Sequence, residues 1–172
     1  YFDHLVAESH KNGLLIAANL GNGYNTSMRP VAPLWTQKLT GPQYVAALNR
    51  YANAVTERYA DNVDSWALEN EIQFSLVHVL LGWRHWVYSD ETNQNIMRTL
   101  SQAVVLHDPS AQIVLTLSPM FSGWEGFVRQ SAQRFHFDAV GLYSYPFVMS
   151  SAEPVGSEAQ VADQIALAKK AS

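Results

Sequence analysis

The amino-acid sequence predicts an α/β fold built on a parallel sheet. Segments with helical periodicity alternate strictly with short apolar runs along the 172 residues, so successive strands must be joined by helical crossovers. The apolar runs are nearly continuous, as expected for strands that are covered on both faces. Strict alternation does not by itself separate a (β/α)8 barrel from a doubly wound sheet, such as a flavodoxin-like one.

Four apolar runs are the candidate strands. They cover residues 14–20, 63–68, 112–117 and 137–144. Five segments with helical spacing surround them, at 3–12, 40–59, 91–107, 126–134 and 157–171. Thr40 with Gln43, and Ser157 with Gln160, form capping-box patterns that open the second and the last of these helices.

The sequence predicts both the inward face of the first helix and the residue at which it ends. Its spacing places Leu5, Val6 and Ser9 on the inward face. Gly13 then follows at the position where helices commonly end in a left-handed residue. We therefore expect this helix to pack through Leu5 and to stop just before Gly13.

Composition excludes several classes of protein. The chain is 48% hydrophobic and 15% charged, which is typical of a folded domain. A net charge of -4 without a basic stripe argues against a nucleic-acid partner, and no apolar run reaches the roughly 18 residues of a membrane span. There is no cysteine, no H-E-x-x-H and no G-x-S-x-G, which argues against thiolate metal sites, a catalytic zinc and an α/β-hydrolase elbow.

The residues with the most chemical content end the second predicted strand. Trp66 to Glu71 read W-A-L-E-N-E and place a carboxylate beside an amide where parallel α/β proteins hold their active sites. A carboxyl at such a position can act as a general acid, so Glu71 is a candidate acid/base residue, and the amide of Asn70 is a candidate hydrogen-bonding ligand. The alternative is that Glu71 only solvates a strand end or caps a turn. Glu69 is interpreted as a subsite or surface residue.

This segment resembles the W-x-x-x-N-E signature of the clan of retaining glycoside hydrolases with a (β/α)8 barrel. In that clan the motif ends the fourth strand, so the resemblance implies a barrel, with Glu71 as acid/base and Asn70 as the ligand of the sugar 2-hydroxyl. Residues 137–146, which end in Tyr143, Ser, Tyr145 and Pro, resemble the sixth strand of the same clan. The resemblance implies that Tyr145 hydrogen-bonds the nucleophile and that Tyr143 takes a position often held by His. Both could instead be core aromatics.

The resemblance covers nearly the whole chain. Asn12 to Ile16 resemble the passage into the clan's third strand, and Pro33-x-Trp35 resembles the loop after it. Residues 1–172 are therefore expected to be one partial catalytic domain with strands three to six, although Ile72 replaces the Pro that commonly follows the Glu. The clan's nucleophile ends the seventh strand, which has no counterpart here, so the isolated chain is expected to be inactive.

The implied activity is hydrolysis of a β-linked oligo- or polysaccharide by a retaining two-carboxylate mechanism, without a cofactor. Trp83, Trp86 and Trp124 are candidates for stacking on sugar rings, and packing beneath a loop is an equally good interpretation of each. Trp35, in the loop that resembles the one after the clan's third strand, is a further candidate substrate-binding residue. The edges of a four-stranded sheet should be covered by missing barrel segments or by another chain. A polysaccharide substrate favours a secreted or periplasmic location. Two alternatives stay open, a non-catalytic carbohydrate-binding barrel and an unrelated flavodoxin-like binding domain.

Overall fold

The structure is a computed structural model that describes residues 1–21, 35, 38–70, 90–117, 124–143, 162 and 166. In chain order its elements are α1 (Phe2–Lys11), β1 (Ala17–Asn19), α2 (Gly41–Tyr59), β2 (Ser65–Ala67), α3 (Asp90–His107), β3 (Gln112–Leu117), α4 (Trp124–Ala132) and β4 (Ala139–Leu142). Residues 162 and 166 are helical, within the predicted last helix. No helix in these ranges is long and apolar enough to cross a bilayer.

The four strands form one parallel sheet in the order β1-β2-β3-β4. Trp66 of β2 is in register with Ala18 on one side and Ile113 on the other, and Leu115 of β3 is in register with Val140. The spatial order thus follows the chain order throughout the described strands. A flavodoxin-like sheet requires a reversal of strand order, so that alternative is wrong for this part of the chain. The predicted α/β class with a parallel sheet is confirmed.

The predicted element ends agree best where local chemistry defines them. The capping box of α2 is present, because the backbone N–H of Thr40 donates to Oε1 of Gln43 at 2.9 Å. Gly13 follows α1 with a φ of +67°, in the left-handed region that ends helices. The N–H of Leu14 donates to the Ser9 carbonyl at 3.0 Å. Since Leu14 is held by the end of α1, β1 begins later than the apolar run predicts.

One apolar core occupies a single face of the sheet. Alternate residues of the central strands are buried there, and they pack in one cluster with buried side chains of α2, α3 and α4. The strand members of this cluster include Trp66, Leu68, Ile113, Leu115 and Leu117. Full burial of such a side chain stabilises a fold by about 1.5–3 kcal/mol. The opposite face carries smaller residues, among them Ser65 and Ala67.

The packing prediction for α1 is wrong at Leu5. The Leu5 side chain is 51% exposed, and α1 has no fully buried residue. The helix is held by polar contacts instead. Nε of Arg58 donates to Oδ1 of Asp3 at 3.0 Å, and the Tyr59 hydroxyl donates to the same oxygen at 3.0 Å. The strand that follows α1, β1, is an edge strand of the described sheet, and the apolar face of α1 has little described structure to pack against.

Two Asp side chains fasten the amino ends of the strands in the same way. The N–H of Asp64 donates to the Ile16 carbonyl at 2.9 Å, and the Ile16 N–H donates back to Oδ2 of Asp64 at 2.7 Å. Asp138 and Ile113 make the same reciprocal pair, with both bonds at 2.8 Å. These two contacts, the Asp latches, fix β1 against β2 and β3 against β4.

Candidate functional site

The structure places Asn70 and Tyr143 at the same edge of the sheet, where the parallel strands end. Asn70 follows β2 and is 8% exposed. Tyr143 follows β4 directly, is half-buried, and donates its backbone N–H to the carbonyl of Leu117, the last residue of β3, at 2.9 Å. At this edge, β3 therefore lies between Asn70 and Tyr143. This carboxyl edge is where barrel enzymes hold their catalytic residues.

Glu69 is completely buried at this edge, so the interpretation of Glu69 as a surface residue is wrong. Its Oε1 accepts a hydrogen bond from the Asn70 backbone N–H at 3.2 Å. The carboxylate lies against the end of β1, where a Cβ added at Gly21 would lie 2.5 Å from Cδ of Glu69. A side chain at position 21 would therefore require the Glu69 carboxylate to move. The sequence shows the alternation that puts Glu69 on one face with Ala67, but it does not show the space that Gly21 provides.

Thr116 of β3 links its strand to the backbone that follows β2 and was not among the predicted site residues. Its hydroxyl donates a short hydrogen bond to the Glu69 carbonyl. On its other side, a Cβ added at Gly141 of β4 would lie 3.2 Å from Cγ2 of Thr116. The backbone that leads to Asn70 is thus held by a side chain of β3. No sequence motif marks Thr116, because it lies inside an ordinary apolar run.

The end of β1 is fixed by its own side chain. Oδ1 of Asn19 accepts a hydrogen bond from the Gly21 N–H at 3.1 Å, a local turn typical of Asn. The Leu20 N–H donates to the Ala67 carbonyl at 2.8 Å. Gly21 is therefore held beside β2, which keeps it against the Glu69 carboxylate.

The charge of Glu69 affects a tyrosine on α2. Partial burial raises the pKa of the Tyr51 hydroxyl, and the negative charge of Glu69 raises it further. A carboxylate that is removed from water is weakly screened, so it acts on nearby titratable groups more strongly than a surface carboxylate does.

The tryptophan candidates separate into two environments. Trp35 is 59% exposed, so its ring is open to solvent. Trp124 is 5% exposed, begins α4 and belongs to the apolar core. The sugar-stacking role predicted for Trp124 is not supported, because a ring packed in the core has no free face for a sugar. Glu71, Trp83, Trp86 and Tyr145 lie outside the described residues, and their roles stay predictions.

Other parts of the described structure offer weaker sites. Two cavities of about 400 and 430 Å³ share Val105 and His136 in their lining, and one of them also reaches Gln112 and Asp138, where β3 and β4 begin. That is the amino edge, which serves stability in barrel enzymes. Within the described residues, no group of three or more His, Cys, Asp or Glu side chains is arranged to hold a metal ion. The carboxyl edge is therefore the candidate site.

Solved structures share the fold of this chain. No family model matches the sequence, and no curated protein does. The structure is similar to a family 10 glycoside hydrolase from Paenibacillus barcinonensis, with a TM-score of 0.73, 15% identity, and coverage of 98% of this chain and 52% of that chain. A psychrophilic family 10 endo-β-1,4-xylanase gives a TM-score of 0.72 at 15% identity, and the match covers 98% of this chain and 53% of that chain. A thermostable mutant of a xylanase from Cellvibrio japonicus gives a TM-score of 0.63 at 17% identity, and the match covers 99% of this chain and 50% of that chain.

The fold is that of an incomplete TIM barrel. The chain spans about half the length of these solved structures, in agreement with its four parallel strands and flanking helices. The barrel fold that the sequence resemblance implies is therefore confirmed. At these identities the likeness concerns the fold, and the chemistry has to be argued from the residues at the carboxyl edge.

Proposed function

We propose that the barrel to which this chain contributes is a glycoside hydrolase that cleaves a β-linked polysaccharide with retention of configuration. One observation carries the proposal. Asn70, the residue before Glu71, lies almost buried at the carboxyl edge of a parallel sheet, in a fold similar to that of family 10 xylanases. An amide and a carboxyl adjacent in sequence at this edge have the chemistry that sugar binding and general acid catalysis require.

In the proposed mechanism Glu71 first donates its proton to the leaving glycosidic oxygen. It later accepts a proton from the water that hydrolyses the glycosyl-enzyme intermediate. The Asn70 amide binds the sugar 2-hydroxyl, in a contact that strengthens as positive charge develops on the ring. A second carboxylate, about 5–5.5 Å from the first, acts as nucleophile. It comes from a part of the barrel outside these 172 residues.

Glu69 gives this mechanism a source of pKa tuning. A general acid near neutral pH needs a pKa above that of an ordinary Glu. Glu69 is a completely buried carboxylate only two residues before Glu71, and a nearby negative charge disfavours ionisation of a second carboxyl. Glu69 would thus help to keep Glu71 protonated. Asn70 lies between these two residues in sequence, and its backbone N–H donates to Oε1 of Glu69.

Xylan is the first substrate to test, because the similar structures include proteins named as xylanases. A β-1,4-linked chain of flat pyranose rings also suits an exposed aromatic platform. Trp35 is the described Trp with its ring open to solvent. We propose that Trp35 contributes a sugar subsite in the loop after β1.

The proposal is tested by titrating the 172-residue chain with xylohexaose and following tryptophan fluorescence and calorimetric heat. Asn70→Ala should weaken binding at least tenfold, since it removes a buried polar ligand. Asn49→Ala, at an exposed position on α2, is the matched control and should bind as the unmodified chain does. Equal binding by both variants would remove Asn70 from the site. Binding in the complete barrel without turnover would favour a non-catalytic carbohydrate-binding protein instead.

A further inference from the structure

The main-chain hydrogen bonds of β2 alternate between its two neighbouring strands. Towards β3, the Leu68 N–H donates to the Val114 carbonyl at 3.1 Å. Towards β1, the Ala67 carbonyl accepts the N–H of Leu20 at 2.8 Å. In a parallel strand the N–H and C=O of one residue point to the same side, and those of the next residue point to the other side. Even-numbered residues of this strand therefore face β3, and odd-numbered residues face β1.

The peptide that joins Glu69 to Asn70 does not follow this pattern. Its continuation past Leu68 would direct the Glu69 carbonyl to β1 and the Asn70 N–H to β3. Instead, the Glu69 carbonyl accepts the hydroxyl of Thr116, a residue of β3. The Asn70 N–H donates to Oε1 of Glu69 at 3.2 Å, and this carboxylate lies against Gly21 at the end of β1. Because this C=O and this N–H belong to one rigid plane, the whole peptide is turned out of the ladder.

Thr116 is built to hold this turned peptide in one orientation. Its branched side chain is stiff at χ1, and the residue is 7% exposed. Its methyl group points to β4, where a Cβ added at Gly141 would lie 3.2 Å from Cγ2 of Thr116. The space left by Gly141 therefore accommodates the methyl group while the hydroxyl bonds to Glu69. The packing of β3 against β4 thus determines the direction of a peptide that follows β2.

We propose that Thr116 is a positioning residue for the proposed hydrolysis, which holds the turned peptide and so sets the direction in which Asn70 and Glu71 leave β2. Glu71 follows Asn70 directly in sequence, so rotation of the peptide before Asn70 displaces both side chains. A displacement of about 1 Å at a catalytic group can cost about 10²-fold in rate. The consequence for catalysis rests on the proposed function, whereas the turned peptide is a property of the fold.

This role of Thr116 is separate from the role proposed for the Glu69 side chain. Thr116 bonds to the main-chain carbonyl of Glu69, and the carboxylate of Glu69 is the group that would raise the pKa of Glu71. Thr116→Val should therefore lower the rate without moving the pH–rate profile. Glu69→Gln should move the profile instead. A profile that shifts equally in the two variants would contradict a positioning role for Thr116.

Hydrogen exchange in the 172-residue chain tests the turned peptide without any sugar. Thr116→Val removes the hydroxyl at nearly constant size, so the Asn70 N–H should exchange about tenfold faster, as expected for loss of one hydrogen bond. The Leu68 N–H, in the regular ladder, is the internal reference and should keep its protection. Thr56→Val removes a buried hydroxyl that donates to the Ala52 carbonyl at 2.8 Å near the end of α2. This control should not speed exchange at Asn70 relative to Leu68, and an equal lack of effect in Thr116→Val would overturn the proposal.

A second variant keeps the test decisive if Thr116→Val does not fold. Gly141→Ala retains the Thr116 hydroxyl but places a Cβ against the Thr116 methyl group. The Thr116 side chain must then shift, so exchange at Asn70 should again rise relative to Leu68. Unchanged relative exchange in a folded Gly141→Ala chain would show that the contact with β4 does not set the peptide.

Kinetics test the catalytic consequence in the active protein that contains these residues. Thr116→Val should lower kcat on xylan by about 10–100-fold, with a smaller change in KM, and Thr116→Ser should recover most of the loss because it keeps the donor. An unchanged kcat in Thr116→Val, or a loss that Thr116→Ser does not recover, would overturn the positioning role. Absence of turnover in the unmodified protein would overturn the proposed function and its catalytic consequence, while exchange at Asn70 tests the turned peptide separately.

Discussion

Trp66 donates its indole N–H to Oδ2 of Asp108 at 2.8 Å, and both side chains are buried. Oδ1 of the same carboxylate accepts the N–H of Asp61 at 3.2 Å. Asp108 thus joins β2 to the loop before it and to the end of α3. The Trp that opens the W-x-x-x-N-E signature is therefore an anchor in this chain. It sets the position of β2 beneath the sheet edge at which Asn70 emerges.

Removing the indole N–H should destabilise the fold. Trp66→Phe leaves a buried carboxylate oxygen without this donor, at a cost of about 1–3 kcal/mol, in addition to the lost packing of the larger ring. This destabilisation is measured as the decrease in the free energy of unfolding in urea. Trp35→Phe, at an exposed Trp, should change that free energy by less than about 0.5 kcal/mol. If the coupling energy in a double-mutant cycle with Asp108→Ala is near zero, the bond does not stabilise the fold.

A methyl group at Gly21 should be destabilising because of Glu69. The Cβ would overlap the buried carboxylate, and overpacking of this kind costs about 1–3 kcal/mol. Gly21→Ala combined with Glu69→Ala should recover part of the loss, since the second change removes the obstructing atoms. Gly126→Ala is the control, because a Cβ there meets nothing within 4 Å and the residue lies in α4. That variant should be neutral or more stable by about 0.5–1 kcal/mol. Destabilisation of equal size at both glycines would contradict the contact.

Acid should weaken the attachment of α1 to α2. The hydrogen bond from Arg58, followed by that from Tyr59, lowers the pKa of Asp3 from 3.8 to about 2. Because the folded pKa lies below the unfolded one, the stabilisation is present above about pH 4 and is lost as the pH falls toward 2. Asp3→Asn should lower the thermal midpoint at about pH 5 and leave it nearly unchanged at about pH 2. Glu57→Gln on α2 controls for loss of one negative charge. An Asp3→Asn effect that is constant over this pH range would exclude the ion pair as the cause.

The fold could be predicted from the sequence where its signals are local. The apolar run at 112–117 coincides with β3, and the Thr40–Gln43 pattern marks the start of α2. Both depend on residues a few positions apart. The alternation of helices and strands then leaves few ways to arrange a parallel sheet.

The features that the sequence did not reveal depend on distant residues. Burial of Glu69 requires the space left by Gly21, 48 positions earlier. Exposure of Leu5 depends on which strand lies at the edge of the sheet, and burial of Trp124 on the start of α4. The repeated Asp latches involve two residues in each strand pair, too few to form a recognisable repeat in sequence. Periodicity predicts which face a residue occupies, but not what lies opposite it.

The acid role of Glu71 should appear in how activity depends on the leaving group. In the active protein that contains these residues, Glu71→Gln removes the proton donor and should slow xylan hydrolysis by about 10²–10⁴-fold. Aryl glycosides with activated phenol leaving groups need little protonation, so the first half-reaction on them should be largely spared. Glu69→Gln keeps an acceptor for the Asn70 N–H while removing the buried negative charge. It should therefore leave folding intact and shift the alkaline limb of the pH–rate profile, which reports the general acid, to lower pH, since the pKa of Glu71 is no longer raised. Equal losses on xylan and on aryl glycosides in Glu71→Gln, together with an unshifted profile in Glu69→Gln, would assign Glu71 a role other than proton donation.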